Sequence, residues 1–407
     1  MAEEVWMLQT KKADFKQIGA RFRIDPVTAR IIRNRGIKGE AAIDRYLNGT
    51  LDDLYDPMLL KDMERAVSIL CEAVDTGKKI RIVGDYDIDG VCSTYILLQA
   101  FERLGSDVDF EIPDRIKDGY GINESIIEQA HADGVEVILT CDNGISAFHQ
   151  VELAKKYGMT VVITDHHEVP LDGEKEKIPP ADAVIDPKQA DCPYPFPEIC
   201  GAVVAYKLVQ VLYARRGVPQ MEWLDLLEFA AIATVGDVMK LQDENRILVK
   251  YGLKKMAQTK NLGLRRLAEK NNLDLGAITA YHIGFVIGPC LNAGGRLKTA
   301  KEALALLRAQ SEEEAERLAE ELKELNDTRK DMTEQGTEAA KLQVESWYQK
   351  DKVLVVFLPE CHESLAGIIA GRLREYYQKP AIVLTRGEEA VKGSGRSIDE
   401  YHMFKKL

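Results

Sequence analysis

The sequence contains neither paired cysteines nor a long apolar run. Its seven cysteines are scattered over 407 residues without a CxxC pair, which excludes a zinc knuckle or a disulfide framework. No run of 18 apolar residues occurs, and the N-terminal "MAEEVWMLQTKKADF" lacks the basic start and apolar centre of a secretion signal. We therefore expect a cytoplasmic protein with reduced thiols and no membrane partner.

Net positive charge is absent as well, since the formal net charge is −12. An even distribution of this charge would argue against a polyanionic partner, but an average hides local fields. The segment 246–270 holds eight Lys or Arg residues and a single acid, Glu269. Two interpretations stay open for it: a solvated helix face, or a wall that contacts phosphates.

Apolar runs alternate with amphipathic stretches between residues 79 and 187, the pattern of strands and crossover helices in a parallel sheet. The intervening helices are predicted to start near Ser93 and Ser146 and to end at glycines. This pattern predicts a doubly wound α/β sheet. The predicted strands are 79–83, 108–113, 135–140, 160–164 and 182–186.

Four units are predicted along the chain. We expect residues 1–75 to form a helical N-terminal cap, 76–250 the α/β domain that contains the sheet, and 251–350 a helical connector. Within the connector, Leu318, Leu322 and Leu325 share one stripe of a long linking helix. Residues 351–407 begin a second α/β unit, with strands "VLVVFL" and "AIVLT" and then a glycine loop, "GSGRS".

Acidic residues and histidines follow the predicted strands repeatedly, at the edge where open α/β sheets bind ligands. Close carboxylates repel one another unless a cation lies between them. Carboxylates with imidazoles and no thiolate suit Mn²⁺ or Mg²⁺, and their number favours two ions, which can direct water at a phosphorus centre. Taken singly, Asp165 and Asp186 could instead be helix N-caps. The set comprises Asp85, Asp87 and Asp89 in "DYDIDG", Asp142 in "CDNG", Asp165, His166 and His167 in "TDHH", Asp186, and Asp237 in "ATVGDVM".

Three arginines lie beside glycines: Arg115, Arg296 and Arg396. A bare backbone lets a phosphate approach closely, and a guanidinium can bind it through two hydrogen bonds. The alternative is an ordinary surface arginine in a turn.

The motifs "DYDIDG", "CDNG" and "TDHH" resemble those of the DHH phosphoesterase superfamily. The whole chain is similar to its family of bacterial single-strand-specific 5′→3′ DNA exonucleases. The similarity includes "NRGI", "IPDRIKDGYG", "LNAGGRL", "ELNDTRK" and "CHESLAGIIAGRL", the last of which resembles the start of a DHH-associated domain. Related chains continue past "MFKKL" into the rest of that domain and an OB-fold, so we expect an incomplete second domain here.

The resemblance implies a two-metal centre in which Asp142 bridges the ions while Asp87 and Asp89 bind different ones. His167 would lie beside the attacking water or the scissile phosphate, and with Asp142 and Asp87 it would be catalytic. Val83 stands where some members carry a histidine, which implies a weaker or more solvated first site. The implied metal ligands are Asp85, Asp87, Asp89, Asp142, His166 and Asp237, with His166 and Asp237 completing the shell of the second ion.

The resemblance also implies a substrate, single-stranded DNA, and a role in DNA repair and recombination. Arg115, Arg296, Ser394 and Arg396 would close on the 5′ end, while a narrow passage excludes duplex. Single-strand-binding protein and a helicase are candidate partners. Two alternatives remain: a phosphodiesterase for short oligonucleotides or cyclic dinucleotides, and a non-catalytic single-strand-binding scaffold. The basic segment favours a polymer, and the costly acid cluster argues against a scaffold.

Overall fold

The computed structural model describes residues 7–9, 11–116, 118–387 and 390–406. Within these ranges, no helix has both the length and the apolar character needed to cross a bilayer.

The N-terminal residues form short helices, of which the first two begin at aspartate caps, Asp14 and Asp25. Asp25, for example, accepts the backbone N–H groups of Val27 and Thr28 at 2.8 and 2.9 Å, and Pro26 occupies the first helical position. The elements are α1 (Phe15–Phe22), α2 (Pro26–Asn34), α3 (Glu40–Asn48), two 3₁₀ turns (Leu51–Asp53 and Pro57–Leu59) and α4 (Met63–Asp75).

The next segment forms the predicted parallel sheet, in the order β2-β1-β3-β4-β7. All five predicted strands are confirmed, with ends that differ by at most a few residues. A separate two-stranded hairpin, β5–β6, precedes β7. The elements are β1 (Ile80–Val83), α5 (Ile88–Arg103), β2 (Val108–Glu111), α6 (Glu124–Ala132), β3 (Val137–Cys141), α7 (Phe148–Lys156), β4 (Thr160–Thr164), β5 (Leu171–Asp172), β6 (Lys175–Glu176) and β7 (Ala183–Ile185).

Both faces of the sheet are buried, as the continuous apolar strands predict. Ile80 and Ile82 belong to the core that includes α4 and α5. Val83 and Ile138 belong to a second core with α6 and α7 on the opposite face. The fold is therefore the predicted doubly wound α/β arrangement.

The helix predicted to begin at Ser93 in fact begins five residues earlier, at Ile88. Asp87 is its N-cap, because its Oδ1 accepts the N–H groups of Asp89 and Gly90 at 2.9 and 3.2 Å. The acidic motif thus leads directly into a helix: Asp85 precedes it, Asp87 caps it, and Asp89 lies in its first turn. At the other end, Gly105 has a φ of 73° and ends α5 as predicted.

A helical region follows the proline-rich loop. The predicted linking helix is confirmed as α16, whose 32 residues span about 48 Å. Leu318 and Leu322 are buried along it. The elements are α8 (Gly201–Arg215), α9 (Gln220–Leu224), α10 (Leu227–Gly236), α11 (Asp243–Met256), α12 (Leu262–Lys270), a 3₁₀ turn (Leu275–Ala277), α13 (Ala280–His282), a π turn (Ile283–Ile287), α14 (Gly288–Leu297), α15 (Lys301–Arg308), α16 (Glu312–Gln343) and a π turn (Val344–Tyr348).

The basic segment 246–270 is largely neutralised within the fold. Arg265 and Arg266 both pair with Glu312 at 2.7 and 2.9 Å, and Lys270 pairs with Glu320 at 2.7 Å. Lys255 pairs with an aspartate of the preceding helical hairpin. These contacts attach α11 and α12 to neighbouring helices, which favours the helix-face interpretation over a wall of phosphate contacts.

The second α/β unit has its own apolar core beneath a three-stranded sheet in the order β10-β9-β8. The prediction of a glycine loop at "GSGRS" is wrong, because residues 393–396 lie in β10, which pairs antiparallel with β9. The hydrogen bonds to β9 outweigh the low strand propensity of glycine here. Glycine is also needed sterically, because a Cβ on Gly393 would lie 2.5 Å from Leu384 and one on Gly395 2.4 Å from Met403. The elements are β8 (Leu354–Phe357), α17 (Glu363–Tyr377), β9 (Ala381–Arg386), β10 (Val391–Arg396) and α18 (Met403–Lys406).

Candidate metal centre and phosphate cavity

The acidic cluster lies at the point where the sheet changes direction. From β1 the chain crosses outward to β2 and then returns to β3 on the other side of β1. This switch leaves a crevice at the carboxyl ends of β1 and β3. Asp85, Asp87 and Asp89 follow β1, and Asp142 follows β3.

Asp142 has a strained backbone and tightly packed surroundings. Its φ is 61°, a left-handed conformation that is uncommon for residues other than glycine. Its carbonyl oxygen accepts the Tyr120 hydroxyl at 2.9 Å. A Cβ on Gly201 would lie 2.7 Å from the Asp142 Cβ and 2.8 Å from its Oδ1. The absence of a side chain at residue 201 therefore gives Asp142 its space.

Asp89 is held by the N-terminus of α8. Its Oδ2 accepts the Gly201 N–H at 2.7 Å, and its Oδ1 accepts the Ala202 N–H at 2.8 Å. These are the unpaired donors of a helix start, where a negative charge is also favoured by the helix dipole. Gly201 thus contacts two acidic side chains of the cluster.

The predicted ligands fall into three overlapping groups within the described residues. In each group, the ligand atoms lie within 4.8 Å of one another. Asp142 belongs to two groups and His166 to two, whereas Asp87 and Asp89 are in different ones. The groups are Asp85, Asp87 and Asp142; Asp89, His166 and Asp237; and Asp142, His166 and His167.

Burial and mutual repulsion make the charged form of these carboxyls costly. Burial and the neighbouring Asp87 raise the pKa of Asp85 to about 7. Burial, then Asp89 and Asp87, raise the pKa of Asp237 to about 7. The same causes raise the pKa of Asp87 and, strongly, of Asp142. A cluster of this kind is stable in its charged form only beside cations.

The donor set fits divalent metal ions. The Oδ1 of Asp142 is buried without a hydrogen bond, although His166 Nε2 lies 3.0 Å from it. Burial lowers the pKa of His166, which favours the neutral imidazole that binds metals. Two facing acceptors need an electrophile between them, and carboxylates with neutral imidazole suit Mn²⁺ or Mg²⁺.

Asp165 does not act as a helix N-cap. Its Oδ2 accepts the Ile145 N–H at 2.8 Å, and its Oδ1 lies 2.7 Å from His167 Nδ1. Burial opposes ionisation of Asp165, but the hydrogen bond from His167 lowers its pKa, and the same contact raises the pKa of His167 to about 9 against the effect of burial. Asp165 therefore orients His167, a role that the sequence reasoning missed.

Asp186, the other residue with an open N-cap interpretation, accepts the Lys188 N–H at 2.8 Å. Its Oδ2 is buried without a hydrogen bond, and burial together with Asp165 raises its pKa to about 7. Among the described residues, it belongs to none of the three ligand groups.

We expect Asp165→Asn to lower the catalytic rate of any reaction at this centre by about 10- to 100-fold, because the amide no longer fixes the orientation and tautomer of His167. Steady-state kinetics across pH would show a changed pH profile as well as a lower kcat. The matched control is Asp182→Asn, because Asp182 also accepts a backbone N–H, that of Val161 at 2.8 Å, outside the cluster. Equal losses in both variants would mean that Asp165 only supports the fold.

The four predicted substrate-binding residues line one cavity of about 460 Å³. Arg115 follows β2 and Arg296 lies in α14, whereas Ser394 and Arg396 lie in β10. The other lining residues are Glu363, Ser364, Gly367, Ile368, Gly371, Arg372 and Glu375 of α17.

Small residues on α17 create room for the β10 side chains. A Cβ on Gly367 would lie 2.8 Å from Ser394 Oγ and 3.0 Å from Arg396 Nη2. Arg296 donates to the Ser364 carbonyl at 3.0 Å. Burial, then Arg115 and Arg329, lower the pKa of Arg296 to about 10. The cavity therefore favours an anion.

Tyr86 connects this cavity to the metal centre. The Arg115 guanidinium lies 4.5 Å from the centre of the Tyr86 ring, and Tyr86 follows Asp85 directly in the chain. A Cβ on Gly295 would lie 2.3 Å from the Tyr86 carbonyl oxygen, so glycine is needed next to Arg296. The sequence reasoning did not single out Tyr86, Tyr120, Gly201 or Arg372. A usable signal existed for the two tyrosines, because Tyr86 lies within the motif "DYDIDG" and Tyr120 within "IPDRIKDGYG".

Comparisons with known proteins agree with this geometry. Residues 79–234 match the model of the DHH family, N-terminal domain. The chain is 36% identical over 405 residues to the single-stranded-DNA-specific exonuclease RecJ of Bacillus subtilis, covering 99% of this chain and 50% of that protein. It is also 36% identical over 397 residues to RecJ of Escherichia coli, covering 93% and 67%. The chain thus spans about half to two thirds of the length of these relatives.

Solved structures give the same result. A crystal structure of exonuclease RecJ bound to manganese has a TM-score of 0.74 at 33% identity, covering 86% of this chain and 85% of that one. RecJ of Thermus thermophilus in complex with Mn²⁺ has a TM-score of 0.78 at 30% identity, covering 94% and 53%. By its strand order, its acidic crevice and these similarities, the chain belongs to the RecJ family of DHH proteins.

Proposed function

We propose that this chain hydrolyses single-stranded DNA from its 5′ end, releasing nucleotides one at a time. The observation that carries the proposal is the adjacency of two sites: a carboxylate–histidine cluster able to hold divalent ions, and a cavity rich in arginine. Tyr86, which follows Asp85 of the cluster in the chain, contacts Arg115 of the cavity. The relatives named as single-stranded-DNA-specific exonucleases and the two similar RecJ structures bound to manganese support the same reaction.

Each group of residues has a separate task in this proposal. Asp85, Asp87 and Asp142 would hold one ion, and Asp89, His166 and Asp237 a second, with Asp142 shared. The bound ions would lower the pKa of a water molecule and offset the charge that develops on the scissile phosphate.

His167 would lie beside the attacking water or the scissile phosphate. Its hydrogen bond with Asp165, at 2.7 Å, keeps the ring in one orientation. The Tyr120 hydroxyl lies 3.1 Å from the same nitrogen, His167 Nδ1, and further restricts rotation of the ring. A positioned imidazole of this kind can donate or accept a proton during the reaction.

The 5′→3′ direction of degradation would be set by the arginine cavity. Arg115, Arg296, Ser394 and Arg396 would bind the 5′-terminal phosphate through charge-assisted hydrogen bonds. With the first phosphate fixed there, the next phosphodiester along the strand can reach the carboxylates. In cells, we place this activity in the cytoplasm, in DNA repair and recombination, with single-strand-binding protein and a helicase as partners.

The test is degradation of oligonucleotides labelled at either end, with Mn²⁺ or with a chelator. We expect release of 5′-labelled mononucleotides from single-stranded DNA, little from duplex, and none with the chelator. Efficient hydrolysis of dinucleotides or cyclic dinucleotides without action on longer strands would favour the small-molecule alternative. Binding of strands without any hydrolysis would favour a scaffold.

We expect Arg396→Ala to raise KM for 5′-phosphorylated strands by about 10- to 100-fold, since one charge-assisted contact contributes roughly 1.5 to 3 kcal/mol. Arg396 is exposed and its hydrogen bonds are local, to Ser394 Oγ and the Gly395 carbonyl, so stability should change little. Arg386→Ala on the neighbouring strand is the matched control. Unchanged affinity for 5′-phosphorylated strands would refute the assignment.

A further inference from the structure

The arginine cavity holds more positive charge than one terminal phosphate requires. Arg115, Arg296, Arg372 and Arg396 line it, and among the described residues none of the four forms an ion pair with a carboxylate. The two acids of the lining are already neutralised, because Glu363 pairs with Lys392 at 2.9 Å and Glu375 with Arg374 at 3.0 Å. A phosphate monoester carries only about −1.5 to −2 charges at pH 7.

A fifth arginine, Arg329, does not line the cavity, but its charge acts on the cavity residue Arg296. Arg329 of α16 is half-buried and donates to Asn326 Oδ1 at 3.1 Å. Burial, and then the charge of Arg372, lower the pKa of Arg329. Like charges that repel one another in a partly buried place are stabilised by an anion between them. No carboxylate of the described residues forms an ion pair with Arg329.

Arg372 also marks where the cavity continues. It lines the 460 Å³ cavity and borders a neighbouring one of about 580 Å³ between α16 and α17, whose lining is acidic because it includes Glu334, Glu338 and Glu375 beside Lys341. The four residues proposed to bind the 5′-terminal phosphate are all in the first cavity. Positive charge thus extends past that phosphate within the 460 Å³ cavity as far as Arg372, and it ends at the acidic neighbouring cavity.

We propose that Arg372 forms a second anion subsite that accepts the outer phosphates of a 5′-triphosphorylated strand. This inference rests on the proposed function. In the first turnover, water would form a bond to the second nucleotide's phosphorus, and the bond from that phosphorus to the first nucleotide's 3′ oxygen would break. The 3′ oxygen would take a proton and leave as part of a nucleoside 5′-triphosphate. The shortened strand would then carry an ordinary 5′-monophosphate.

The first experiment measures anion binding without catalysis, by calorimetry in metal-free buffer with inorganic tripolyphosphate and orthophosphate. We expect tripolyphosphate to bind at least about tenfold more tightly than orthophosphate, and Arg372→Gln to remove most of that difference. The matched control is Arg386→Gln, an exposed arginine of β9 outside the cavity lining, which should keep the difference. Equal binding of the two anions, or a difference that Arg372→Gln leaves intact, overturns the proposal.

The second experiment compares strands with a 5′-monophosphate and a 5′-triphosphate in the presence of Mn²⁺. We expect wild-type protein to release a nucleoside triphosphate first from the triphosphorylated strand, and Arg372→Gln to raise KM for that strand about tenfold more than for the monophosphorylated one. Degradation of the monophosphorylated strand alone would overturn this inference and leave the proposed function standing. No degradation of either strand would overturn the proposed function itself.

Discussion

Replacing Asp142 with alanine should lower strand hydrolysis by about 1,000-fold or more, equivalent to roughly 4 kcal/mol of activation free energy. Asp142 belongs to two of the three ligand groups, and its Oδ1 is buried without a hydrogen bond. Its loss removes a carboxylate that two of the ligand groups share. Calorimetric titration with Mn²⁺ should show two sites in the wild type and at most one in the variant.

The control for Asp142→Ala is Asp172→Ala, which removes an exposed aspartate in the β5–β6 hairpin. It should leave metal binding and hydrolysis unchanged. Folding of the Asp142 variant is expected to persist, because removing one member of a repelling acidic cluster relieves unfavourable charge. Two intact metal sites in Asp142→Ala would contradict its bridging role, whatever the effect on the rate.

Replacing Gly201 with alanine should impair the centre without changing any ligand. The new Cβ would lie within 2.7 to 2.9 Å of three Asp142 atoms, which real Cβ atoms do not tolerate. Either Asp142 or the start of α8 has to move, and the same helix start donates to both oxygens of Asp89. Because displacements of about 1 Å at a catalytic site can cost 100-fold, we expect activity to fall by about that factor.

The matched control for Gly201→Ala is Gly284→Ala. Gly284 also lies in a helical segment, and its added Cβ would make only an ordinary contact, 3.6 Å from Val235. We expect that variant to keep its activity. Mn²⁺ affinity and thermal unfolding should be measured together, since a weakened metal site in a folded protein supports the steric explanation. Normal Mn²⁺ affinity in Gly201→Ala would contradict it.

Local pattern was sufficient for the sheet and for placing most of the acidic residues and histidines in one cluster. Four of the five strands of the main sheet are predominantly apolar runs bounded by turns, and a run buried on both faces is recognisable without its neighbours. The edge strand β2 alternates apolar and acidic residues and is only partly buried. Strands that are parallel end at one edge, so acids that follow them meet there. For this reason Asp87, Asp142 and His166 could be placed in one cluster from their positions in the chain.

Tertiary contacts decided the features that depend on residues far apart in sequence. Asp89 is fixed by N–H donors more than 100 residues away, and nothing near Gly201 in the sequence reports the carboxylate that its missing side chain accommodates. The strand β10 exists because β9 supplies its hydrogen bonds, so local glycine content misled the prediction of a loop.

The same reasoning separates the two groups of basic residues. By itself, the sequence determined that both were positively charged: the segment 246–270 and the arginines beside glycines. Only the folded chain decided that Arg265 and Arg266 meet Glu312. Arg296 and Arg372 instead line one cavity, and neither forms an ion pair with a carboxylate of the described residues. The physical reason is that the field at a point depends on all charges within a few ångströms in space, whereas sequence patterns report only neighbours along the chain.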